Sequence, residues 1–171
     1  MILNRISGRI CMILFLMTAL NGFGQWNPSR IELGGNFGFQ FGSTTALEIS
    51  PSAGYWFTDY LLAGTGLTYL YVKESGNGAV SSSIYGGNLF AKVFPVQEAF
   101  VQAEYQIMNT GYTSVSGSRR DWVQGLLAGG GYQQAVGGNT FLTLTVLWEL
   151  LQEPGYPYNN PVIRAGITTR L

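Results

Sequence analysis

The sequence predicts an all-β fold: an eight-stranded, antiparallel, up-and-down transmembrane β-barrel. Apolar and polar residues alternate with a period of two in most of eight strand-like segments, and no helical stripe competes with this pattern. The chain has 24 glycines, 14% aromatic residues and only 11% charged residues, whereas an average soluble domain has roughly 25% charged residues. No run after residue 24 suits a spanning helix, so a membrane chain of this kind needs a closed barrel.

The first 24 residues are typical of a cleavable secretory signal peptide. Arg5 and Arg9 supply a positive start, residues 10–20 an apolar core, and Gly22 and Gly24 a small-residue cleavage site. A retained helical anchor is the alternative, but the apolar core is shorter than the roughly 20 residues that a spanning helix needs. We therefore expect residues 1–24 to be removed on export.

Residues 25–171 are predicted to form one barrel domain. Removing 24 residues from 171 leaves 147, which suits eight strands of about 10 residues with their loops. Seven basic and nine acidic residues remain once the two arginines of the signal peptide are removed, so the net charge is about −2. This balance gives no electrostatic basis for binding nucleic acid.

Alternation of apolar and polar residues defines the first four strands, at residues 31–41, 45–57, 61–73 and 85–93. Their apolar positions are predicted to face lipid and their polar positions the interior, as in a membrane barrel. Pro51 interrupts the second strand. Because proline removes a donor from the ladder, we expect a bulge and a local kink there.

The last four strands are predicted at residues 99–108, 122–133, 140–151 and 163–171. The sixth contains four glycines, and neither phase separates polar from apolar residues, so its facing stays open. In the eighth, Ile163 and Ile167 lie on the face opposite Arg164 and Arg170. A strand with two arginines opposite its apolar face fits a barrel with lipid on one side and a polar interior on the other.

Loop lengths give an independent indication of the same topology. One set of predicted connections is short, at residues 58–60, 94–98 and 134–139. The alternate set is longer, at residues 74–84, 109–121 and 152–160, with one tight exception at 42–44. Barrels with both termini in the periplasm have short periplasmic turns and longer outer loops.

Seven charged residues are predicted to face the interior: Glu32, Glu48, Lys92, Glu104, Glu149, Arg164 and Arg170. An eight-stranded barrel is only just wide enough for its own side chains, so these groups have to pair with one another or with trapped water. One interpretation is a single buried ionic network that fills the interior. The other is a narrow polar conduit or ligand site. Trp56, Phe90 and Phe100 also face inward, which favours a filled interior.

The composition argues against an enzyme. The chain has no histidine, which excludes a serine hydrolase triad, an imidazole general base and the commonest metal ligand. We predict no catalytic residues, no cofactor and no metal site. In the third predicted outer loop, Arg119 and Arg120 are candidates for contacts with lipopolysaccharide phosphates or a protein partner. In the fourth, Tyr156 and Tyr158 are candidates for a membrane girdle or a recognition surface.

Two stretches resemble a known family. Residues 51–57, with the sequence PSAGYWF, precede a short turn and the strand at 61–71, and residues 85–90 read YGGNLF. These stretches resemble the small outer-membrane β-barrel domain family of Gram-negative bacteria, the group that includes OmpA-type barrels, and the resemblance extends over residues 30–171. It implies residence in the cell outer membrane and insertion by the outer-membrane assembly machinery, with no shared enzymatic residues.

The leading hypothesis is an integral outer-membrane protein with a non-enzymatic structural or surface-interaction role. Its expected partners are outer-membrane lipid and lipopolysaccharide, the assembly machinery during insertion, and an unknown protein at the outer loops. A small transport or ligand-binding barrel that uses a polar lumen is one alternative. A secreted, soluble, lipocalin-like barrel is another, and it requires the apolar face to point inward.

Overall fold

The structure, a computed structural model, describes residues 27–40, 44–74, 81–114 and 117–171. Eight antiparallel strands form a closed barrel in which each strand pairs with its neighbours in sequence and the last pairs with the first. The strands are β1 (Ile31–Gln40), β2 (Thr44–Trp56), β3 (Leu61–Glu74), β4 (Ser81–Val93), β5 (Ala99–Ser114), β6 (Gly117–Gly137), β7 (Thr140–Glu149) and β8 (Val162–Arg170). The predicted fold is confirmed. The predicted signal peptide, residues 1–24, lies outside the described residues.

One 3-10 turn, Pro28–Arg30, precedes β1. Among the described residues, no helix is long and apolar enough to cross a membrane.

Strand alternation sets which side chains enter the barrel. On β5, Glu104 points inward and is 2% exposed, whereas Val101 points outward and is 54% exposed. On β6, whose facing the sequence leaves open, Val123 and Leu127 are buried inside while Trp122 is exposed on the outer wall. The inner and outer surfaces therefore differ sharply, with charge inside and large apolar side chains outside.

The two ends of the barrel differ. At the turn end, the described connections are short: residues 57–60, 94–98 and the two residues 138–139. At the loop end, the β7–β8 loop spans residues 150–161.

The β5–β6 hairpin extends farther than predicted. Residues 109–121 were expected to be an outer loop, but β5 continues to Ser114, and Ser114 pairs with Gly117 at the start of β6. Arg119 and Arg120 therefore belong to a strand, which corrects their assignment to a loop. Where both faces of a hairpin are polar, no alternation marks the strand, although the backbone ladder continues.

Pro51 does not produce the predicted bulge. The β2–β3 pairing runs from Ile49 opposite Tyr69 to Ser52 opposite Gly66 in an unchanged register. The pairing with β3 passes over the proline without an inserted residue, because a missing donor does not by itself require one. A register shift occurs instead between Ala135 and Gly137, beside the turn that joins β6 to β7.

Inward glycines make room for large side chains from neighbouring strands. A Cβ on Gly131 would lie 2.4 Å from Cζ of Phe100, and one on Gly64 would lie 2.7 Å from Cζ of Phe90. A narrow barrel alternates small and large interior residues in this way. These contacts explain why β6, where Gly125, Gly129 and Gly131 point inward, lacks a readable polar face.

Gly131→Ala should lower the free energy of unfolding by about 1 to 3 kcal/mol, because the added methyl group overpacks the interior against Phe100 and the carbonyl of Leu144. Gly87→Ala is the matched control, since its Cβ would meet only Gly66 O at 3.6 Å, an ordinary contact. Urea unfolding of the barrel refolded in detergent measures both variants. Equal losses would contradict the packing described here.

Candidate functional site in the charged interior

An arginine held by two glutamates lies in the middle of the barrel. Nε of Arg164, on β8, lies 3.0 Å from Oε1 of Glu48 on β2, and Nη1 lies 3.2 Å from Oε1 of Glu104 on β5. All three side chains are 2% exposed. We call these three residues the ionic centre. It joins strands from opposite sides of the closed wall.

Polar side chains complete the coordination of both carboxylates. The hydroxyl of Ser50 donates to Glu48. The amides of Asn88, Gln102 and Gln106 all donate to Glu104, those of Asn88 and Gln102 at 2.9 and 2.7 Å. With two carboxylates and one guanidinium, the ionic centre has a net charge of −1, and these neutral donors stabilise the excess negative charge.

An aromatic cluster closes the interior at the turn end. Trp56, Leu62, Phe94 and Phe100 are buried against one another, with Phe90 packed on their edge. We call this cluster the turn-end seal.

Three predicted interior charges surround the turn-end seal. Nζ of Lys92 lies 4.9 Å from the centroid of the Phe100 ring. Nε1 of Trp56 donates to Glu32 at 3.0 Å, and Cζ of Arg170 lies 4.0 Å from the Trp56 ring. Lys92 and Glu32 are buried, whereas Arg170 is half-buried near the mouth.

Two apolar clusters fill the interior toward the loop end, and Tyr156 and Tyr158 pack against both. We call them together the loop-end seal. One comprises Leu70, Ile84, Met108 and Val123, and the other Leu127, Leu147 and Val162. The order of inward residues along β5 gives the sequence of layers: Phe100, Gln102, Glu104, Gln106 and Met108. The ionic centre therefore lies between two apolar layers.

Tyr156 and Tyr158 point into the barrel instead of lying on an exposed rim, which corrects the two surface roles considered for them. The hydroxyl of Tyr156 donates to Oε1 of Gln106, and Tyr158 lies 5.3 Å from Cζ of Arg164. Gly125 provides the space, since a Cβ there would lie 2.3 Å from Cε2 of Tyr156.

Burial raises the pKa of the Tyr156 and Tyr158 phenols above the ordinary value, so both remain protonated. Because the folded chain holds them neutral, their contribution to stability is complete below the ordinary tyrosine pKa of about 10. The contribution of the two phenols to stability declines as the pH rises above that value.

Glu149 organises the β7–β8 loop and does not join the ionic centre. Its Oε1 accepts from the backbone N–H of Leu151 at 2.8 Å, and its Oε2 accepts from that of Gln152. Asn160 closes the other side of the loop, donating to the Glu149 carbonyl at 3.0 Å and accepting from its N–H at 2.7 Å.

The seven predicted interior charges thus do not form one network. In the described residues they divide into the ionic centre, the group around the turn-end seal and the single carboxylate of Glu149. Sequence alternation gives the facing of a side chain but not its height in the barrel, so this division could not be read from the sequence.

The two predicted arginine contacts lie on β6. The side chain of Arg119 lies outside the described residues. Arg120 is exposed, and its position on the same face as Trp122 puts it on the outer wall near the loop end.

A closed eight-stranded wall that is apolar outside and charged inside is the architecture of a transmembrane β-barrel. Neither the protein-family models nor the curated protein sequences give a match to this chain.

Solved structures do match. Neisserial surface protein A (NspA) aligns with a TM-score of 0.55 and 16% identity over 82% of this chain and 94% of its own. The N-terminal β-barrel domain of Pseudomonas aeruginosa OprF gives 0.47 and 16% over 81% and 93%. A de novo designed transmembrane β-barrel gives 0.45 and 13% over 86% and 99%. At this identity the similarity to NspA shows the fold alone.

Arg164→Ala should lower the free energy of unfolding by about 3 to 5 kcal/mol, because it leaves two buried carboxylates without a counter-charge. Adding Glu48→Gln should restore part of the loss by removing one of those charges. Urea unfolding in detergent at neutral pH measures the series. Arg170→Ala, at the half-buried mouth, should cost less, and an equal loss would contradict the central role of Arg164.

Proposed function

We propose that this chain is an integral outer-membrane β-barrel with a non-enzymatic structural or surface-interaction role. The observation that carries the proposal is the outer wall. Large apolar side chains are exposed on all eight strands, among them Leu33, Ile49, Leu67, Leu89, Val101, Leu126, Leu144 and Ile163. Such a surface is costly in water and stable in lipid.

The same observation argues against a soluble, lipocalin-like barrel. A soluble barrel needs its apolar residues inside and polar residues on the outer wall. Here the ionic centre is inside, and leucine, isoleucine, valine and aromatic residues cover the outside. To be soluble, the barrel would have to expose the opposite face of every strand to water.

The filled interior supports a structural role over a conduit. A hydrated path along the axis would have to pass the turn-end seal, the ionic centre and the loop-end seal in turn. Both seals are built from buried apolar side chains, and neutral side chains donate hydrogen bonds to the two carboxylates of the ionic centre. We infer that the charges between the seals stabilise the fold and do not conduct ions.

The proposed partners follow from this location. Lipid and lipopolysaccharide would contact the outer wall, and the outer-membrane assembly machinery would insert the chain. A protein partner would bind at the loop end, where the β5–β6 hairpin and the β7–β8 loop lie.

Leu144→Arg should lower the free energy of unfolding in lipid by about 2 to 4 kcal/mol if Leu144 lies near the bilayer midplane. Leu151→Arg is the control, since both leucines are similarly exposed, at 53% and 50%, but Leu151 lies in the β7–β8 loop. A soluble barrel would tolerate both. Unfolding in lipid vesicles therefore tests membrane residence, and equal effects would argue against it.

In planar bilayers the unmodified barrel should give no steady current. Tyr156→Ala should also give none, because the turn-end seal remains, and Phe100→Ala should give none because the loop-end seal remains. Single-channel recording measures all three. A steady, ion-selective current through the unmodified protein would favour the conduit.

A further inference from the structure

An arginine on the outer wall is held in a fixed orientation at the loop end. Arg120 lies on β6, two residues from Trp122, so both side chains point outward. On a membrane barrel a charged outward residue is tolerated only near the interface, where its cost falls to about 0 to 1 kcal/mol. On a membrane barrel Arg120 would therefore lie outside the hydrocarbon region.

The barrel wall supplies contacts that fix the guanidinium plane. Nη1 of Arg120 donates to Oδ1 of Asn109 at 2.8 Å, and Nη2 donates to the carbonyl of Ser83 at 3.2 Å. Cζ of Arg120 lies 5.1 Å from the centroid of the Tyr85 ring. By alternation Asn109 also faces outward, yet it is only 6% exposed, so its amide is covered from the outside.

The described groups that hold Arg120 are neutral. Among the described side chains, no carboxylate lies within ion-pair distance of it. Both acceptors that hold it are neutral, and a guanidinium has five N–H groups, so donors remain for a ligand. A guanidinium that is ordered by neutral acceptors and has N–H groups to spare suits an anionic ligand.

Two aromatic side chains border this arginine. Tyr85 and Trp122 form an edge-to-face pair with centroids 6.4 Å apart, and both are exposed on the outer wall. Amphipathic rings of this kind lie at the level of lipid headgroups. Together with Arg120 they combine apolar surface for an acyl chain with a donor for an anion.

We propose that Arg120, Tyr85 and Trp122 form a binding site for a phosphorylated membrane lipid. The lipid is the lipid A of the leaflet at the loop end. A phosphate oxygen would accept from the free N–H groups of Arg120, and the adjoining acyl chains would lie along the two rings. Arginine suits phosphate because its planar donors match that group. The inference rests on the proposed membrane location.

The test measures binding of lipid A to the barrel in a neutral detergent by native mass spectrometry. The unmodified chain should retain phosphorylated lipid A, and Arg120→Gln should lower the affinity about 10-fold or more, the loss of a charge-assisted bond. Arg30→Gln is the matched control. Arg30 is an arginine at the turn end whose Nη1 donates to the carbonyls of Trp56 and Phe57.

Two further ligands distinguish the sources of phosphate. Dephosphorylated lipid A should bind weakly to both the unmodified chain and Arg120→Gln. Inorganic phosphate should not compete at concentrations comparable to the lipid, because it lacks the acyl chains that contact Tyr85 and Trp122. Equal retention of dephosphorylated lipid A, effective competition by inorganic phosphate, or equal loss in Arg30→Gln would each overturn the proposal.

Failure of this inference is separable from failure of the proposed function. Membrane residence is scored independently, by recovery of the unmodified chain in the outer-membrane fraction. If the chain fractionates with the outer membrane but Arg120→Gln binds phosphorylated lipid A normally, only the lipid site is wrong. If the chain is recovered in a detergent-free soluble fraction, the proposed function fails and the lipid site fails with it.

Discussion

The interior of a barrel closed from eight strands has little more room than its own side chains need. Inward side chains therefore pack closely against one another, and each buried charge needs a partner within reach. Arg164 satisfies this requirement for two carboxylates, because it forms ion pairs with both Glu48 and Glu104. The ion pairs are buried between the apolar clusters of the two ends. The pairs are then less screened, and a lost partner is correspondingly harder to replace.

The sequence predicts the facing of most strands because side chains alternate across a wall that separates two different environments. Glu104 and Val101 follow this rule without ambiguity. The rule fails where the two environments become alike. Beyond the apolar belt both faces of the β5–β6 hairpin are polar, so residues 109–114 and 117–121 give no strand signal although they are paired. It also fails on β6, where inward glycines hide the polarity of the interior.

The ionic centre was predictable in its members but not in its pairing. Alternation indicates that Glu48, Glu104 and Arg164 face inward, whereas their contact depends on barrel closure and on the register of all the intervening strands. Glu149 shows the same limit, since it is inward and buried but binds loop backbone. The insertion of Tyr156 has no periodic signal at all. The one sequence feature related to this insertion is Gly125, an inward glycine whose missing Cβ leaves room for the Tyr156 ring.

The continuous backbone pairing of the β5–β6 hairpin affects how resistant the chain is to proteolysis. Proteases cleave segments that can leave the fold and enter an extended groove, and such segments concentrate at exposed loop tips. Thr110 to Ser114 are paired with Gly117 to Asp121, so this backbone is held in the ladder. The irregular β7–β8 loop is anchored by Tyr156 and Asn160. In both places cleavage has to wait for a local opening, and its rate follows the free energy of that opening more than the accessibility of the bond.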